Sequence, residues 1–232
     1  MKVSIITINY NNFNGLMKTV DSVITQTSYS YIEYIIVDGG STDGAKEWLE
    51  TLNTGIKWIS EQDAGISDAF NKGLALATGD YILMLNSGDT FLNSGVVENV
   101  IDDLELLKID ILSYKVKVEE GICIPSTNDV ASIIRRCDFP HQGTFVSRRV
   151  YKEIGGYSQE YKVRMDFHFF AKCMKKEYGF KYIDKIIVNY EPGGTSMKKE
   201  NRLRFWREGM SIKMLYGINL ELKDYVKLIL YK

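Results

Sequence analysis

The sequence predicts an α/β fold built on a mainly parallel sheet, and three observations predict it. Four short β-branched runs alternate with three helix-periodic segments within about the first 90 residues, the pattern of βαβ units. Each run closes abruptly on small, polar or acidic residues. A chain of 232 residues, 45% apolar and 25% charged, is long enough and apolar enough to bury the core such a sheet needs.

The elements follow in order. Val3–Asn9 is a buried strand closed by Asn9-Tyr10-Asn11-Asn12. Gly15–Gln26 places Leu16, Val20, Val23 and Ile24 at helical spacing. Tyr34–Val37 is a second buried strand ending at Asp38, and Gly39–Gly44 makes a turn whose Ser41 or Thr42 can cap the helix Ala45–Leu52. Ile56–Ser60 is a third strand, and Glu61–Gly65 is a polar loop before the helix Ile66–Ala77. Thr78-Gly79-Asp80 then turns the chain into the apolar strand Tyr81–Leu85, which stops at Asn86-Ser87-Gly88-Asp89.

The second half is less regular. A helix is expected over Asn93–Leu107, then an edge or antiparallel strand over Ile111–Val118 and a short helix over Asp129–Arg136. His141–Val146 leads into another strand; Val150–Ile154 and Met165–Tyr178 are helical; Phe180–Val188 is the final strand before a loop holding Gly193-Gly194. Leu203, Trp206, Met210 and Met214 mark one face of an amphipathic helix, and Lys223–Tyr231 is a shorter one. The organisation expected is one domain over 1–196, with halves 1–110 and 111–196, and a basic helical extension over 197–232.

Composition narrows the partners. Residues 1–110 carry 6 basic and 16 acidic side chains, residues 111–196 carry 14 and 10, and residues 197–232 carry 9 and 4. An acidic half followed by a basic one argues against nucleic-acid binding and points the C-terminal part toward something anionic. Cys123, Cys137 and Cys173 are odd in number and form no CxxC pair, which fits a reducing compartment without disulfides or a zinc knuckle. The N-terminal apolar run is too short for a signal peptide, and no run approaches the ~18 apolar residues of a membrane span.

Because parallel strands point the same way, four polar clusters should line one edge of the sheet: Asn9–Asn12, Asp38–Asp43, Asp63–Asp68 and Asn86–Asp89. An edge this rich in carboxylate and amide suits a base or ribose read by hydrogen bonds, with a divalent cation bridging carboxylate to diphosphate. No GxGxxG follows the first strand, so an NAD-dependent dehydrogenase has little support, and no GxxxxGK[ST] marks a P-loop. An aspartyl-phosphate nucleophile at Asp38 would want a second acid where Gly40 stands.

The ordered motifs Val3–Asn11, Val37–Asp43, Asp63–Gly73 and Gly79–Asp89 resemble glycosyltransferase family 2 over nearly 90 residues. His141-Gln142, Arg164–Phe167 and Gly193–Ser196 extend the resemblance, toward a bacterial polysaccharide-type subgroup. The resemblance implies a GT-A fold, a Rossmann-like nucleotide-binding mixed sheet, here with a helical C-terminal appendage. It implies an inverting transferase moving a sugar from a nucleotide-sugar, a UDP-sugar by preference, to a saccharide or lipid-linked acceptor. Asp38 would accept from the base, with Thr7, Asn9 and Tyr10 beside it, and Asp63 and Asp68 near base and ribose. Asn86 and Ser87 would border the diphosphate, Asp89 would hold a divalent metal (Mn2+ or Mg2+), and Asp166 would be the base. His141, Gln142, Gly194 and Thr195 would meet acceptor or diphosphate.

Family members often carry acids where Asn86 and Gly88 stand here, which leaves Asp89 as the charged ligand of that motif. A catalytically silent nucleotide-sugar binding protein is the alternative this departure raises. Plainer readings compete at single positions. Asp43 caps a helix; Asp68 and Asp166 are first-turn acids facing a helix dipole; His168 packs or meets solvent. Trp206 with Arg202, Arg204 and Arg207 fits either an interfacial helix on an anionic membrane or a helix folded back on the domain. A cytoplasmic protein, peripheral on the inner face of the cell membrane through its basic C-terminal helices, is the location these readings imply.

Overall fold

A computed structural model describes residues 1–230 apart from 53, 54, 120, 121, 128, 137 and 138. Cys137 and Tyr231, named above, lie outside the described residues. The first half alternates as the sequence predicts: β1 (Val3–Asn9), α1 (Phe13–Ile24), β2 (Ile32–Asp38), α2 (Ala45–Thr51), β3 (Lys57–Ser60), α3 (Ile66–Leu76) and β4 (Tyr81–Met84). A two-residue strand, β5 (Thr90–Phe91), leads to α4 (Val96–Leu107), β6 (Ile111–Glu119), β7 (Ile122–Ile124) and α5 (Val130–Arg136). A 3-10 turn at His141–Gly143 precedes β8 (Thr144–Ser147), α6 (Arg148–Ile154), α7 (Met165–Lys175) and β9 (Phe180–Asn189). The chain continues into α8 (Arg202–Tyr216) and α9 (Leu222–Leu230).

One sheet runs through the molecule in the order β3-β2-β1-β4-β8-β6-β9-β5, with β7 beside β6. Strands β1 to β4 are parallel, and β8 joins the two halves by running antiparallel to both β4 and β6. Successive residues of the central strands serve opposite faces. Ile6 and Ile35 pack with Phe70 of α3 and Phe169 of α7, while Ile5 and Ile36 pack with Leu16 of α1 and Val100 of α4. Both faces are therefore covered, which is why these strands are nearly continuously apolar.

Strand β6 differs from the edge strand expected. It is antiparallel to β8, as its alternation allows, but β9 covers its other side in parallel. The alternation came from Lys115 and Lys117 in its second half, beyond the residues that pair with β8, and Lys115 ion-pairs there with Asp184 at 2.5 Å.

Two helix starts are built from one carboxylate. Asp43 accepts from the Ala45 N–H at 3.2 Å, opening α2, and from the Phe13 N–H at 2.8 Å, opening α1. The turn residue before α2 is Gly44 at φ 95°, so neither Ser41 nor Thr42 caps that helix. Asn12 caps α1 through the Gly15 N–H.

The C-terminal helices are tied to the domain. The buried face of α8 is Gly209 and Ile212, and Met214, expected on it, is 67% exposed. Polar contacts set this rotation. Glu208 accepts from the N–H groups of Lys162, Val163 and Arg164 at 2.9–3.0 Å, and Arg164 lies over the rings of Phe167 and Phe205 at 4.2 and 4.3 Å. Through these contacts α8 packs against the domain. His168 is packed, stacked on Tyr161 with Nε2 3.0 Å from the Tyr216 hydroxyl. Among the described residues no helix is long and apolar enough to cross a membrane.

Candidate active site

Chain order reverses around β1. The crossovers to β2 and β3 move one way, and the return to β4 lands on its other flank. Carboxyl ends of strands at such a reversal open a crevice. Here it is a cleft of roughly 1370 Å³, lined by Asn9, Tyr10, Asp63, Asn86, Ser87 and Asp89, with Glu191 beside Asp89, and by His141, Gln142, Asp166, Gly194 and Thr195.

A polar network strings the strand ends together. Asn9 donates to Asp38 at 2.8 Å and accepts from the Ser87 hydroxyl at 2.8 Å, spanning β2, β1 and the segment after β4. Asp38 is fully buried and accepts from Ser41, Ser60 and Asn9. Burial opposes its ionisation, yet these donors hold its carboxyl below the usual range.

Three residues expected against the donor do not line the cleft. Thr7 is fully buried in β1 and donates to the Leu85 carbonyl at 2.7 Å, so its hydroxyl serves the sheet. Asp38 spends its oxygens on the neighbouring loop, and the cleft wall beside it is Gly39. Asp68 accepts from the Ala64 N–H at 3.1 Å and pairs with Lys72 at 3.4 Å, the helix-start role weighed for it. Asp63 does reach the cleft. It accepts from the Gly65 N–H at 2.8 Å, and its Oδ2 lies 2.4 Å from where a Cβ on Gly39 would sit.

Across the cleft, the 3-10 turn after Pro140 presents His141 between two elements. Its Nε2 is 3.1 Å from Asn86 Nδ2 and its Nδ1 is 3.3 Å from Asp166 Oδ2. An amide nitrogen only donates, so Nε2 accepts and the imidazole proton sits on Nδ1, facing Asp166. Asp166 opens α7 and is 30% exposed to the cleft. Burial works against its charge, but His141 and Arg164 outweigh it and hold the carboxyl below the usual range.

Asp89 is the opposite case. It is 2% exposed; its Oδ1 accepts from the Glu191 N–H at 3.0 Å, and its Oδ2 has no hydrogen-bond partner. Burial pushes its pKa up to about 6, against the pull of the Glu191 N–H, His141 and the Gln142 side chain. Asn86 Oδ1 is likewise buried without a partner. Two orphaned oxygens on one wall of a cleft are hard donors of the kind Mn2+ and Mg2+ take. Among the described residues no three His, Cys, Asp or Glu side chains gather as a metal site, so a ligand would have to complete the coordination.

Glu191 is a cleft residue that the sequence reading missed. The antiparallel pairing of β5 with β9, Thr90 opposite Asn189, brings it onto Gly88 and Asp89 from 102 positions away. A two-residue strand leaves no periodic signal, so nothing in the sequence announced the contact.

A Rossmann-like mixed sheet with a polar cleft at its reversal point is the GT-A fold. The chain belongs to glycosyl transferase family 2, whose profile matches residues 4–121. An uncharacterised glycosyltransferase of Mycobacterium tuberculosis is 33% identical over 181 residues, covering 74% of this chain and 68% of its own. A PGL/p-HBAD biosynthesis glycosyltransferase of Mycobacterium bovis is 27% identical over 205 residues, 83% of this chain and 78% of its own. Among solved structures, S. aureus TarS 1-349 in complex with UDP-GlcNAc superposes with a TM-score of 0.75 at 21% identity, covering 100% of this chain and 71% of that one. The mannosyltransferase PcManGT from Pyrobaculum calidifontis, in complex with GDP-Man and Mn2+, gives 0.72 at 16% identity, covering 99% and 68%. Those two likenesses bear on the fold alone.

Proposed function

We propose that this glycosyltransferase moves a sugar from a UDP-sugar to an acceptor hydroxyl with inversion at the anomeric carbon. The observation that carries this is the His141-bridged pair of walls, Asn86 and Asp89 on one side and Asp166 on the other. Asp166 is ionised at neutral pH, so one of its oxygens can take the proton from the acceptor hydroxyl as that oxygen attacks. The bond to the anomeric carbon forms as the carbon–oxygen bond to the diphosphate breaks. One base and one displacement invert the centre without a covalent enzyme intermediate.

Asn9, Tyr10, Asp63 and Ser87 line the part of the cleft where the nucleoside would lie, and Gln142, Gly194 and Thr195 the part beside diphosphate and acceptor. Asp89 and Asn86 would hold Mn2+ or Mg2+ through their unpartnered oxygens. When bound, such an ion offsets the negative charge growing on the departing diphosphate.

The acceptor we infer is a saccharide or lipid-linked oligosaccharide of the cell surface, met at the inner face of the cytoplasmic membrane. The relative named for PGL/p-HBAD biosynthesis and the basic C-terminal segment support that half of the reading. The test is thermal stability with Mn2+ plus UDP, NAD or ATP. A rise with UDP alone is expected, and no rise with UDP contradicts the reading. The alternative, a silent nucleotide-sugar binder, predicts the same rise with no turnover of any UDP-sugar; a cleft-facing Asp166 favours catalysis over it.

A further inference from the structure

Gly88 has φ +103°, a backbone conformation open to glycine, and its missing side chain is replaced in space by another residue. A Cβ on Gly88 would lie 2.0 Å from Glu191 Oε2 and 3.0 Å from Glu191 Cβ. The carboxylate that position 88 lacks is thus present in the same corner, delivered by the end of β9. Its backbone N–H holds Asp89 Oδ1 at 3.0 Å, which leaves Asp89 Oδ2 buried, unpartnered and on the cleft wall.

The geometry points to Glu191 as the second carboxylate of a divalent-cation site shared with Asp89 and completed by the donor diphosphate. This assignment rests on the nucleotide-sugar reading above. Glu191 Oε2 accepts from Asn12 Nδ2 at 3.3 Å and Oε1 from Lys18 Nζ at 3.2 Å. Each oxygen keeps a second lone pair for a ligand. Two carboxylates beside a diphosphate repel it in a part-buried corner unless a cation lies between them, and Lys18, which pairs with Glu191, is a single positive charge on an exposed stem. Glu191 is therefore expected to oppose metal-free donor binding and to favour metal-bound donor.

The test measures two affinities on the full chain: Mn2+ in the presence of saturating UDP, by the electron paramagnetic resonance of free Mn2+, and UDP in EDTA, by calorimetry. Glu191→Gln, matched in shape, should weaken Mn2+ binding about tenfold or more, while UDP binding in EDTA is unchanged or tighter. Lys18→Met should leave Mn2+ affinity intact or raise it, because it removes a competing cation without touching the carboxylate. Thermal melts check that each variant folds, and Glu191→Asp, which keeps the charge, should retain more Mn2+ affinity than Glu191→Gln. Unchanged Mn2+ affinity in Glu191→Gln overturns the assignment and leaves the metal-dependent reading standing. An equal loss in Lys18→Met overturns it too, because the effect would then be loop anchoring. Absence of Mn2+ binding by the unaltered protein with UDP removes the metal reading itself, and this inference with it.

Discussion

His141 stands between Asn86 and Asp166, with Nε2 3.1 Å from the amide and Nδ1 3.3 Å from the carboxylate. It therefore connects the two walls of the cleft, from Asn86 to Asp166, the proposed base. Asp166 owes part of its depressed pKa to this contact. Replacing His141 with Ala should let that pKa rise, moving the acidic limb of the kcat/KM profile to higher pH and lowering transfer about 10- to 100-fold. An acidic limb that does not move would separate His141 from Asp166.

The raised pKa of Asp89 makes the metal-free protein sensitive to pH. Its folded value is about 6 against an ordinary 3.8, so between those values the folded state binds the extra proton. Stability from this group is present below about pH 4 and is lost as pH rises through 6, by ~3 kcal/mol in order of magnitude. Asp89→Asn should remove that slope. In EDTA the variant should be more stable than the parent at pH 7.5 and similar to it near pH 4, as read from urea unfolding.

Glu33 carries the opposite sign. Buried within β2, it accepts from Ser4, from the Thr78 N–H and hydroxyl, and from Lys57, and these donors outweigh burial to push its pKa well down. Its contribution is complete above the ordinary glutamate value of 4.5 and is lost as pH falls below it. Glu33→Gln should cost ~2 kcal/mol at pH 7, with the gap from the parent narrowing in acid. A gap independent of pH would mean that shape, not charge, is what the site needs.

How much was legible follows from the distance over which each feature is written. The parallel half is local. Val3–Asn9, Ile32–Asp38 and Tyr81–Met84 are apolar runs with polar stops, so the shared edge of Asn9, Asp63 and Asn86 could be anticipated. Residue type at a strand end does not say where a side chain points, and Thr7 and Asp38 turned to the sheet and loop because buried hydroxyls and carboxylates take the nearest donors and acceptors. Glu191 was invisible because β5 is two residues long, and the rotation of α8 because Glu208 acts through backbone N–H groups that no hydrophobic spacing encodes.

As the proposed base, Asp166 should act on the acceptor and take no part in holding the donor. The most direct measurement is Asp166→Asn, with transfer from a UDP-sugar and affinity for UDP recorded on the same preparation. A base at Asp166 means a loss of transfer on the order of 10³-fold with UDP affinity within about twofold of the parent. Transfer that survives, or a parallel loss of UDP affinity, would contradict it.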